Sequence, residues 1–257
     1  MAEYIIRPGE LPENPSAKGP DSLSVCELFI DAAQGEGAYA GCPAVFLRLS
    51  GCHVRCGWCD TADILGKSTA TGTEELLDIF KGRGITERLK MGHHLVVTGG
   101  SPLLQQDVLT SFLARLKAEC RDRLFIEIEN ECSIPVRQSN AALWDIADCW
   151  NNSPKLSHSG IAKNTRYNPE ALAQMSNARE AWFKFVVKDE NDWSEIEDEF
   201  IVPGYVRREQ IILMPEGQTR MQLNPQKKQE VLEMAVRHSV RYGGRLHIDI
   251  YDNRKGV

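Results

Sequence analysis

Three thiols stand within eight residues in Cys52-His53-Val54-Arg55-Cys56-Gly57-Trp58-Cys59, at x3 and x2 spacing, and Asp60-Thr61 follow directly. A trio of thiolates this close can hold three irons of a cubic iron–sulfur cluster and leaves the fourth iron without a side-chain ligand. An open coordination position is where chemistry takes place, by the logic that separates catalytic from structural zinc sites. The competing reading is a zinc ion held by the three cysteines and His53 or a distant fourth ligand. Structural zinc favours paired spacings. The chain has no second Cys-x2-Cys pair, and His53 adjoins Cys52, an awkward place from which to close a tetrahedron. The spacing therefore favours the cluster. Cys26, Cys42, Cys120, Cys132 and Cys149 stand singly and read as small buried hydrophobes.

Other segments carry polar groups in suggestive places. Thr98-Gly99-Gly100-Ser101-Pro102 ends an apolar run. Its glycines permit close backbone approach to a ligand, while Ser101 and Pro102 also suit a helix N-cap and N1. Ala33-Gln34-Gly35-Glu36-Gly37 is a turned loop that lacks the Lys-Ser/Thr of a phosphate cradle. Arg48 interrupts an apolar strand candidate. A charge there must be paired or face a polar cavity, where a guanidinium grips carboxylates. Glu127 and Glu129 alternate with isoleucines, which puts both carboxylates on one side of a strand. Ser153-Pro154-Lys155 reads as a turn, and His247 alternates with Asp249 near the end of the chain.

The elements that must position these groups alternate. Strand candidates are residues 44–49, 95–98, 124–128, 147–150, 183–187, 211–214 and 246–251. Between them lie helix signals. Thr71-Gly-Thr-Glu74 offers a capping box for a helix through Phe80, and Leu109, Phe112, Leu113 and Leu116 form a helix face. Asn224-Pro225 opens a helix to about Arg241, closed by Gly243-Gly244. Such alternation predicts a mainly parallel α/β sheet, open or closed as a barrel, with ligands at the carboxyl ends of its strands. The cysteine loop and Gly99-Gly100 follow two such ends, so both point to one face.

Composition narrows the class. The 257 residues are 42% hydrophobic and 26% charged, which fits one large core domain, expected over 23–257 after a loosely ordered extension over 1–22. The net charge of −6 without any Lys/Arg block argues against direct nucleic-acid binding. No apolar stretch is long enough for a bilayer, and the start lacks a secretory apolar region; a cytoplasmic location is expected.

Taken together, these segments resemble the 7-carboxy-7-deazaguanine synthases, radical S-adenosylmethionine enzymes of 7-deazapurine (queuosine) biosynthesis. The likeness runs from Glu27 through Gln34-Gly35-Glu36-Gly37 to Cys52, then through Cys56-Gly-Trp-Cys-Asp-Thr61, Thr98-Gly-Gly, Glu127, Ser153-Pro-Lys-Leu156 and Lys255-Gly-Val257. The resemblance implies an incomplete (β/α) TIM-like barrel, commonly dimeric, served by an electron-donor protein. It implies a [4Fe-4S] cluster on Cys52, Cys56 and Cys59, and Mg2+ on Thr61. S-adenosylmethionine would meet Trp58, Cys59, Asp60, Gly100, Ser153, Pro154 and Lys155. The pterin substrate, 6-carboxy-5,6,7,8-tetrahydropterin, would meet Ala33, Gln34, Gly35, Arg48, Thr98, Glu127, His247 and Val257. The implied reaction breaks the sulfonium C–S bond with one electron, takes a hydrogen from the pterin, contracts its ring and releases ammonia.

The chain departs from the family pattern at three places. Ser101 stands where the family's Gly-Gly-Glu-Pro has a glutamate that can help hold the cofactor's ammonium. Glu127-Ile128-Glu129-Asn130 stands where Glu-Thr-Asn-Gly is usual, and Asp249 follows His247. Two added acids would repel a carboxylate-bearing pterin unless they face away. The competing functions are a radical enzyme that activates a glycyl-radical partner and, in another class, a non-catalytic zinc module.

Overall fold

Period-two alternation in the strands decides the architecture. The computed structural model describes residues 2–7, 20–121, 123–254 and 256. In chain order the elements are β1 (Glu3–Ile6), β2 (Ser22–Ala33), β3 (Pro43–Leu49), β4 (Thr69–Gly72), α1 (Thr73–Gly82), α2 (Ile85–Lys90), β5 (His94–Gly99), α3 (Gln106–Cys120), β6 (Phe125–Asn130) and α4 (Leu143–Ile146). There follow β7 (Cys149–Asn152), α5 (Lys163–Arg166), α6 (Pro169–Ser176), β8 (Ala181–Val187), α7 (Glu190–Ile196), β9 (Ile211–Pro215), α8 (Pro225–Arg237), β10 (Arg241–Tyr242) and α9 (Leu246–Tyr251). The sheet runs β1-β2-β3-β5-β6-β7-β8-β9-β10, with β4 also paired to β2. Pairing is antiparallel around β2 and parallel from β3 onward. The sheet curls without closing: an incomplete (β/α) barrel.

One side of the central strands enters a large apolar core shared with the helices. Val45 and Leu47 of β3, Leu95 and Val97 of β5, Ile126 and Ile128 of β6, Phe183 and Phe185 of β8, and Ile211 and Leu213 of β9 all belong to it. Each large side chain buried there contributes about 1.5–3 kcal/mol. On α3 the predicted face is the buried one: Leu109, Phe112, Leu113 and Leu116 are fully covered, and Phe112 packs edge-on against Phe80 of α1, with centroids 5.5 Å apart. The intervening strand residues Phe46, Arg48, Thr98, Glu129, Lys184, Val186 and Met214 face the lumen. A one-residue slip would exchange these two sets, so the register is strongly specified.

Several expectations change. Residues 3–6, expected in a loose extension, form β1 on the outer edge of β2; residues 1 and 8–19 lie outside the described residues. The capping box at Thr71 is absent: Thr71 is buried in β4, and Gly72 is the N-cap of α1, without a side-chain cap. Asn224 does cap α8 by accepting from Lys227 N, but the helix ends at Arg237, because residues 241 and 242 pair with β9.

The last strand expected, at residues 246–251, is the helix α9. β10 already occupies the β9 edge, and beyond Gly243-Gly244 the chain turns to meet the loop after β2, where Leu246 N–H donates to Gly35 O at 2.9 Å. A strand there would have no ladder partner among the described residues. Helical bonds such as Asp249 N to Arg245 O (3.0 Å) satisfy the backbone instead. Among the single cysteines, Cys26, Cys120, Cys132 and Cys149 are buried as expected, whereas Cys42 is half-buried.

Candidate active site

The carboxyl end of β3 delivers the cysteine loop. Arg55 adopts a left-handed conformation (φ 57°) that turns the chain between Cys52 and Cys56, and Cys59 N–H donates to Cys56 O at 3.2 Å. All three thiols are free, half-buried and line one cavity of about 840 Å³. Burial pushes the Cys56 thiol up; Lys155 opposes this, and the nearby Cys52 and Cys59 sulfurs add to it. Three sulfurs that sense one another at a cavity mouth are a donor set suited to a cluster.

The Gly99-Gly100 pair serves this loop. A Cβ on Gly100 would lie 2.3 Å from Cys52 Cβ, and one on Gly99 would lie 2.3 Å from Leu49 O. The strand end therefore lies flush against the cysteine loop, an approach that Ser101 N–H fixes by donating to Gly51 O at 2.9 Å. The Ser101 hydroxyl does not cap the following turn; it lies 3.0 Å from His53 Nδ1 and 3.7 Å from Cys52 Sγ.

The expected site residues converge on this cavity, apart from two that do not line it and one outside the described residues. Cys52, Cys56, Cys59, Thr61, Trp58, Asp60, Gly100, Ser153, Lys155, Ala33, Gln34, Gly35, Arg48, Thr98 and His247 all line it. Pro154 and Glu127 do not, and Val257 lies outside the described residues. Lys155 bonds Ser153 O (2.8 Å) and Oγ (2.9 Å) with its ammonium above the Trp58 ring.

Glu127 is fully buried deeper in the lumen, held by His94 Nδ1 (2.6 Å), Asn151 and Gln34 Nε2 (3.3 Å). Glu129 is the carboxylate that reaches the cavity, accepting from the Thr98 hydroxyl at 2.8 Å and from Gln34 Nε2 at 3.3 Å. Both carboxylates lie on one side of β6, as alternation requires, but at different depths. Backbone conformation agrees with a shifted register. Cys132, three residues after Glu129, is left-handed (φ 59°), the place for the glycine of a Glu-Thr-Asn-Gly element. Asp249 faces away from the cavity and pairs with Lys228.

The lumen is a chain of alternating charge. Asp60 pairs with Arg245, Arg245 with Glu36 (2.7 Å), Glu36 with Lys184 (2.6 Å), and Lys184 with Glu129 (3.7 Å). Burial alone would raise the Glu36 carboxyl, but Arg245 and Lys184 outweigh it and hold the group well below the usual glutamate range. Arg48 is paired as well, with Glu27 at 2.7 Å. Burial lowers the His247 imidazole, which is therefore neutral near pH 7. Its ring covers Gly35, where a Cβ would stand 2.1 Å from Nδ1.

Sequence reasoning missed Lys184, Arg245 and Glu36 as wall residues. Lys184 interrupts Phe183 and Phe185 much as Arg48 interrupts its strand, so the same signal was present. Arg245 carries no such signal, since only the path of the chain after Gly243-Gly244 brings it inward.

Comparison with known proteins agrees with this geometry. A family model described as a 4Fe-4S single cluster domain matches residues 33–130. A relative from Halobacterium salinarum named 7-carboxy-7-deazaguanine synthase is 31% identical over 244 residues, covering 91% of this chain and 92% of the relative. One of the same name from Pyrobaculum aerophilum is 33% identical over 240 residues, covering 91% and 97%. The crystal structure of QueE from Escherichia coli superposes with a TM-score of 0.65 at 23% identity, over 90% of this chain and 96% of that one, and so shares its fold.

Proposed function

Because the chain belongs to the 7-carboxy-7-deazaguanine synthase family, we propose that it converts 6-carboxy-5,6,7,8-tetrahydropterin to 7-carboxy-7-deazaguanine with loss of ammonia. The observation that carries this reading is the meeting of three thiols and a charged lumen on one cavity of about 840 Å³. A [4Fe-4S] cluster with S-adenosylmethionine supplies, when bound, one-electron cleavage of a sulfonium C–S bond and a hydrogen-abstracting 5′-deoxyadenosyl radical.

The chain's own residues bind, orient and exclude water. Cys52, Cys56 and Cys59 would hold the cluster. Lys155, Ser153 and Gly100, which line the cavity with Trp58 and Asp60, would receive the amino-acid end of S-adenosylmethionine; Pro154, which does not line it, would shape that turn. Glu129 takes the substrate role expected of Glu127, because its carboxylate can accept two hydrogen bonds from the amino-pyrimidine edge of a pterin. Glu127 acts behind it by fixing Gln34. Arg48 and Lys184, paired with Glu27 and with Glu36 and Glu129, fix the charge of the wall that the pterin meets, and Thr98, Ala33, Gly35 and neutral His247 complete it. Thr61 would present its hydroxyl to Mg2+, a hard ion that keeps oxygen ligands. A second copy of the chain, an electron-donor protein and a cytoplasmic setting complete the proposal. No described helix is long and apolar enough to cross a membrane.

The test is anaerobic turnover of cluster-loaded protein with S-adenosylmethionine, reductant, Mg2+ and the carboxypterin. Ring-contracted product and ammonia in equal amounts are expected. Cleavage of S-adenosylmethionine without either product would overturn the substrate assignment.

A further inference from the structure

Beside the cysteine loop lies a polar cluster that the proposed reaction leaves unassigned. Glu131, just past the end of β6, is 4% exposed and lines the cavity. Its Oε1 accepts from the Ser133 hydroxyl at 3.0 Å, while its Oε2 is buried with no hydrogen-bond partner. His53 bridges the cluster, with Nε2 2.8 Å from Ser133 Oγ and Nδ1 3.0 Å from Ser101 Oγ. No lysine or arginine pairs with Glu131 among the described residues; His53 Nδ1 stands 4.0 Å away. A buried carboxylate with one idle oxygen is costly unless a donor or cation reaches it.

The same place carries one of the three departures noted under the family resemblance, which implies a glutamate where Ser101 stands; the small Ser101 side chain lies 3.7 Å from Cys52 Sγ and supplies no acid there. We propose that Glu131 supplies that missing anion, accepting a hydrogen bond from the α-ammonium of S-adenosylmethionine through Oε2. The head group then lies between opposite charges, its carboxylate toward Lys155 and its ammonium toward Glu131. This assignment rests on the radical S-adenosylmethionine reading above. Glu131 acts here as a binding and positioning residue, and no bond is made or broken at it.

The test measures binding to cluster-loaded protein under anaerobic conditions by equilibrium dialysis, with iron content and visible absorbance as controls. Glu131→Gln is expected to weaken S-adenosylmethionine on the order of ten- to a hundredfold, the loss of a charge-assisted hydrogen bond. The deaminated analogue, which keeps the sulfonium and carboxylate but lacks the ammonium, is expected to bind wild-type and variant equally. Glu131→Asp, which keeps the charge, is expected to retain more affinity than Glu131→Gln and serves if the glutamine variant loads cluster poorly. Equal weakening of both ligands, or no weakening of either, overturns the assignment while leaving the proposed function standing. Cluster-loaded wild-type protein that takes up no S-adenosylmethionine overturns both.

Discussion

Glu127 and Glu129 are two residues apart on one side of one strand, yet depth gives them different work. Glu129→Gln is expected to raise KM for the pterin about tenfold or more, with cluster content unchanged, since a charge-assisted hydrogen bond contributes about 1.5–3 kcal/mol. Glu127→Gln is expected to act first on stability, by about 1–3 kcal/mol, because it disturbs a buried group with three partners. Steady-state kinetics and thermal unfolding of the two variants separate these outcomes.

Glu36 supports a prediction with a definite sign. Its carboxyl is held below the usual range in the folded chain, so on acidification the unfolded chain takes up the proton first. The stabilisation is fully present above the ordinary glutamate pKa and is lost as pH falls below it. Glu36→Gln should remove that acid sensitivity and cost about 3 kcal/mol at neutral pH by leaving buried Lys184 and Arg245 short of a partner. Denaturant unfolding from pH 7 to pH 3 measures both. At this scale the sequence showed the cysteines, Arg48 and the paired acids through residue type and spacing. It could not show depth, because alternation reports which side of a strand a residue faces and not how far along the lumen it lies.

Among the elements, α9 shows most clearly where local pattern fails. Leu-His-Ile-Asp-Ile-Tyr alternates like a strand, but the available edge is taken and the segment coils against the loop after β2. Gly35 makes that docking possible, since His247 occupies the space of any side chain there. Gly35→Ala is therefore expected to displace His247 and lower kcat/KM at least tenfold, with the cluster still loaded. Hydrogen exchange should show α9 losing protection while α3 keeps it. Unchanged exchange in α9 would contradict this docking. By contrast, the α3 face and the Asn224 cap were legible because each depends on contacts within a turn or two of helix.

For the whole molecule, βα alternation was readable and the antiparallel start was not. β2 and β1 gain their order from partners far along the chain, which no local period records. Tyr4 of β1 packs on Phe29, which stacks on Phe46 at 4.9 Å, and Gly256 sits against the Tyr4 ring. Tyr4 and Gly256 thus meet on one side of the barrel. Tyr4→Ala is expected to lower stability by about 2 kcal/mol and to speed hydrogen exchange in both β2 and the residues after α9. Faster exchange in β2 alone would separate the two segments.

The proposed chemistry depends on three cysteines anchoring an iron–sulfur cube with one iron left open to the cofactor. Mössbauer spectroscopy of 57Fe-loaded protein, recorded anaerobically with and without S-adenosylmethionine, reads the irons site by site. A [4Fe-4S] spectrum is expected in which one iron site of the four changes when S-adenosylmethionine is added. Four sites that ignore the addition, or a protein that binds zinc and no cluster, would contradict the arrangement.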